Sequence, residues 1–92
     1  MILGGWNLDE VKGCNLSQKV QTDFTAVTSE LVGADYEPIA YLGSQQVNGT
    51  NYRILCLQRA VALDAEKKIV KMIINEATDG SVRLVSVSGV AL

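Results

Sequence analysis

The stretch Gln45-Gln46-Val47-Asn48-Gly49-Thr50-Asn51-Tyr52 lies in the middle of a chain of 92 residues, and its reading decides the fold. Asn48-Gly49 is a strong hairpin signal, because both residue types tolerate the positive φ that a two-residue turn of the right twist requires. The turn therefore predicts two antiparallel strands, Ile39 to Val47 before it and Tyr52 to Leu63 after it. Beyond the polar connection Asp64 to Lys68, Ile69 to Glu76 reads as a third strand. Val82 to Val90 reads as a fourth, joined by the turn Thr78-Asp79-Gly80-Ser81.

Ahead of Pro38 the period is different. Leu16, Val20, Phe24, Val27 and Leu31 recur at helical spacing, which predicts one amphipathic helix from Asn15 to Val32. Ser17, Lys19, Gln21, Asp23 and Glu30 are then expected to face water. Asn15 with Gln18 forms a candidate capping box, and Gly33 a candidate left-handed terminator. One helix followed by an antiparallel meander gives an α+β fold, with a further short strand expected around Gly5 to Leu8. At this length the chain is expected to be one domain, residues 1–92, with one core.

Composition narrows the function. Eight Lys+Arg against ten Asp+Glu leave a formal net charge of −2 and no basic stripe, so nucleic acid is not an expected partner. No apolar run approaches the ~20 residues that span a bilayer, and no membrane association is expected. Met1 to Trp6 is short and lacks a basic start for a secretory signal, so the expected location is cytoplasmic. There is no histidine, which removes Cys–His and Ser–His nucleophile pairs and most transition-metal sites. The chain is expected to be no enzyme and to need no metal or cofactor. Of the two cysteines, Cys56 alternates with Ile54 as a small core residue, and Cys14 has no base beside it.

Two motifs carry a resemblance over essentially the whole chain. Gln45-Gln46-Val47-Asn48-Gly49, continued by Thr50-Asn51-Tyr52, resembles the Gln-x-Val-x-Gly hairpin of the cystatin family, stefin type. Met1-Ile2-Leu3-Gly4-Gly5 is similar to a stefin N-terminus. The resemblance implies a long helix packed on a curved four- to five-stranded antiparallel sheet. It also implies a thiol protease inhibitor, binding papain-like cysteine proteases reversibly through a wedge of three parts. On this chain those parts are the trunk Leu3, Gly4 and Gly5, the hairpin Gln45, Gln46, Val47, Asn48 and Gly49, and the second hairpin Thr78, Asp79 and Gly80. At the second hairpin stefins place Leu-Pro-Gly and secreted cystatins Pro-Trp. Here the glycine is kept and a carboxylate replaces the apolar contact. The family likeness further implies a monomer with a minor domain-swapped dimer exchanged at the first hairpin.

The plainer readings stand beside these. Asn48-Gly49 also serves any hairpin, and Gly4-Gly5 any loose terminus. The alternative function is a cystatin-fold binding or scaffold protein without inhibitory activity. An enzyme built on Cys14 is a remote third.

Overall fold

The computed structural model describes residues 13–62 and 65–91. Within them the order is α1 (Gln18–Thr28), β1 (Ala34–Val47), β2 (Gly49–Ala60), β3 (Lys67–Glu76) and β4 (Val82–Gly89). The four strands form one antiparallel meander in the order β1-β2-β3-β4, and α1 packs against it, an α+β arrangement. The strand suggested near Gly5 to Leu8 lies outside the described residues. No helix among the described residues is long and apolar enough to cross a membrane.

Strand alternation builds the core. Ile54 and Cys56 of β2 and Val70, Met72 and Ile74 of β3 point to one face, where Val20, Phe24 and Val27 of α1 meet them. Tyr52, Val82, Leu84 and Val87 extend this cluster, as does Leu31 beyond the helix. Apolar surface removed from water along this seam is the main force holding helix to sheet. Lys71, opposite Leu55 and Ser88, lies on the other face, as its interruption of an apolar strand suggests.

The helix is shorter than its apolar stripe. It starts after Ser17, whose side chain accepts from the Val20 N–H at 3.4 Å, and not after Asn15. The residues before it are held away from helical geometry, since the Cys14 N–H donates to the Pro38 carbonyl at 2.9 Å. At the other end Thr28 Oγ1 donates to the Phe24 carbonyl and Ser29 Oγ to that of Ala26. Val27, Thr28 and Ser29 have low helix propensity, and beyond them the Glu30 and Leu31 N–H groups donate to Val27 and Thr28 in tighter three-residue turns, so α1 stops there. Eleven residues span about 16 Å rather than the 27 Å expected of the full stripe. Gly33, at φ +90, ends the connection into β1 rather than the helix itself, and its carbonyl accepts from the Val61 N–H.

β1 carries irregularities between Pro38 and Ala40 and between Tyr41 and Gly43, and the β3–β4 pair one between Ile73 and Ile74. Extra residues of this kind bend a strand and increase its twist.

Candidate functional site

Both hairpins close at the same end of the sheet. In β1–β2 the register pairs Gln46 with Thr50 and Val47 with Gly49, which leaves Asn48 alone at the tip. This differs from the expected two-residue Asn48-Gly49 turn. The loop is three residues, Val47-Asn48-Gly49, with the glycine third at φ +96. A type I turn completed by a left-handed residue has this form, and glycine takes that place most readily.

The β3–β4 turn repeats the plan. The Gly80 N–H donates to the Ala77 carbonyl at 2.9 Å, the Ala77 N–H to the Ser81 carbonyl at 2.8 Å, and Gly80 is at φ +90. Thr78, Asp79 and Gly80 form the exposed tip. The Asp79 carboxylate is committed to this turn. Its Oδ1 accepts from the Ser81 hydroxyl at 2.7 Å and the Ser81 N–H at 2.9 Å, and these bonds hold it below the usual aspartate range.

The two tips touch through their roots. Thr50 opposes Glu76 across β2–β3, and a β-carbon on Gly49 would clash with the Glu76 carbonyl and sit 3.0 Å from the Ala77 α-carbon. Gly49 is thus required twice, by its φ and by its neighbour. Gln45, Gln46, Val47 and Asn48 are exposed, and Val47 keeps 48% of its surface open. Gln45 braces the hairpin through its amide: Asn51 Nδ2 donates to Gln45 Oε1 at 3.3 Å, and buried Asn75 Nδ2 donates to Asn51 Oδ1 at 2.9 Å. This ladder runs across β1, β2 and β3 on the face away from α1. Beside it lies an open groove of about 280 Å³, bounded by Leu42, Gly43, Arg53 and Ile73.

The structure therefore brings Gln45 to Gly49 and Thr78 to Gly80 together at one end. Leu3, Gly4 and Gly5 lie outside the described residues, as does Trp6. Among the described residues no group of three or more acidic or cysteine side chains is placed to hold a metal. Cys56 is fully buried, its thiol pushed up to about 12 chiefly by that burial, and Cys14 is half-buried.

One cluster at this end escapes the sequence reading. Asp23, expected to face water, is only 5% exposed and sits over Glu76 at the end of β3. Lys19, one helical turn earlier, pairs with Glu76 Oε2 at 2.5 Å. Two spacings held the signal. Asp23 follows Val20 by three and precedes Val27 by four, so it shares their face. Glu76 continues the inward series Val70, Met72, Ile74. No family model, curated protein or solved structure matches the chain.

Proposed function

We propose that the chain is a cystatin-like, stefin-type inhibitor of papain-like cysteine proteases, which enters the active-site cleft with its two hairpin tips and the trunk Leu3-Gly4-Gly5. The observation that carries this reading is the pairing of the tips. Exposed Val47 and Asn48 project beside Thr78 to Gly80 from one end of the sheet, locked together where Gly49 meets Glu76 and Ala77. A cleft is concave, and a blunt double tip is a shape that fits one. Val47 offers an apolar contact, and the amide ladder behind it keeps the tip rigid, which lowers the entropic cost of binding. The strand irregularities support the curved sheet of the family.

A second reading has its own support. Gly49 and Asp79 are both accounted for by contacts within the chain. That favours a cystatin-fold scaffold whose hairpin residues serve the fold alone. Residual activity of papain and several papain-like enzymes, titrated with the full chain to micromolar concentration, separates the two. Reversible loss of activity is the expected result, and full activity throughout overturns the inhibitor reading. Recovery of one stable partner other than a protease then selects the scaffold. Deleting Met1 to Gly4 should hasten dissociation of the inhibited complex, because an anchor is lost.

A further inference from the structure

Glu76 occupies an unusual position, since it opposes Thr50 on β2 and Val82 on β4 and so stands at the root of both hairpins. Asp23 reaches it from α1. Asp23 Oδ2 and Glu76 Oε2 are both buried, and neither receives an aligned hydrogen bond. The Lys19 ammonium beside Glu76 Oε2 supplies charge to that oxygen, but it leaves Asp23 Oδ2 with no donor. Ionised carboxylates only accept, so two of them cannot satisfy one another, whereas a protonated one donates. One proton on Asp23 Oδ2 makes it a donor toward Glu76 and removes the orphan, with Lys19 already beside Glu76 Oε2.

We propose that Asp23 and Glu76 share one proton, and that this proton clasps α1 to the root of the hairpins. The clasp holds whatever the tips bind. Losing the proton leaves two buried carboxylates against one lysine, and α1 loosens at its first turns. The electrostatics agree in direction. Burial first, then Glu76, pushes Asp23 up to about 6, while hydrogen bonding from Asp23 and Lys19 holds Glu76 below its usual range. Lys19 is raised mainly by Glu76. From β2, Tyr52 also faces the cluster, its phenol raised by burial and by the charge on Glu76. From β1, Tyr41 acts on Tyr52, and the β4 neighbour of Glu76 is the apolar Val82.

The sign follows from linkage. Asp23 binds its proton more tightly folded than unfolded, so its contribution is full below its ordinary 3.8 and is lost as pH rises through about 6. Glu76 works the other way, stabilising above its ordinary 4.5 and failing as pH falls. Asp23's contribution is thus already falling where that of Glu76 is complete, and the shared proton, held up to about pH 6, is lost above it.

Two measurements on the full chain test it. Carbon-13 NMR of the side-chain carboxyls should show Asp23 titrating near pH 6, and Glu76→Gln should lower that midpoint, since an amide can donate to ionised Asp23. An Asp23 midpoint below about 4.5, or one near 6 that Glu76→Gln leaves in place, overturns the shared proton. Urea unfolding should show the folding constant falling by up to about tenfold per unit between roughly pH 4.5 and 6. Asp23→Asn should flatten that slope, and an unchanged slope in the variant overturns the clasp. If Asp23→Asn does not fold, the NMR titration of the parent decides alone.

Discussion

Gly49 lies against the carbonyl of Glu76 too closely to admit a β-carbon, and its φ of +96 is one that other residues rarely take. This contact joins the two hairpins into one unit. Gly80 makes a useful control, because it has a similar φ of +90 and open space around it. Gly80→Ala should cost only backbone strain, about 1–2 kcal/mol. Gly49→Ala should cost at least ~1 kcal/mol more, since β2 must move away from Ala77. Equal losses in urea unfolding would show that the tips do not bear on one another.

Phe24 is the largest helix side chain in the core, and it is buried among Ile54, Met72 and their neighbours. Phe24→Ala should cost roughly 3–5 kcal/mol, a large part of a small domain's stability. The Tm should drop on the order of 15 °C or more. A shift of only a few degrees would mean that α1 packs on the sheet by another face.

What the sequence made legible was what repeats. The elements and a few faces were readable, Ile54 with Cys56 inward and Lys71 outward, but Leu55, Leu57, Ile69 and Ile73 are apolar as well, so alternation alone did not mark the core face. Ends were harder. Thr25 to Ser29 continues the apolar stripe through Val27, yet the chain beyond tightens into three-residue turns and the helix stops, a change that periodicity does not register. The Asn48-Gly49 pair marked the turn but not its length, since glycine at φ > 0 serves the third place of a three-residue loop as well as a two-residue one. Asp23 is polar and stands outside the apolar stripe, which pointed it to water, although its spacing from Val20 and Val27 puts it on their face. Its partner there is Glu76, 53 positions away, and only the folded sheet brings the two together.

The amide ladder should be worth more at its buried end. Asn75→Ala leaves Asn51 Oδ1 without its 2.9 Å donor, and should cost about 1–3 kcal/mol. Gln45→Ala removes an exposed 3.3 Å bond and should stay within about 0.5 kcal/mol. Urea midpoints of the two variants check the ranking, and a larger loss at Gln45 would reverse it.

The thiols should separate by accessibility. Cys56 is fully buried, and burial pushes its thiol up to about 12, so at pH 8 it is neither reachable nor ionised. A thiol reagent should modify Cys14 alone in the native chain and both cysteines in denaturant. Modification of Cys56 at the rate of Cys14 without unfolding would contradict the packing of β1 and α1 around it.

The central claim is that the Val47–Gly49 tip makes contact with a protease, beyond forming a turn. Val47 is half open at the tip and contributes little to the core, so Val47→Asp should move the unfolding midpoint by no more than about 0.5 kcal/mol. Against an apolar cleft wall the new carboxylate would be desolvated without a partner, at a cost of several kcal/mol. The decisive measurement is the inhibition constant of parent and Val47→Asp against the same papain-like enzyme. The account predicts inhibition by the parent and a loss of at least ~100-fold in the variant at unchanged stability. A parent that does not inhibit, or a variant that inhibits as well as the parent, contradicts it.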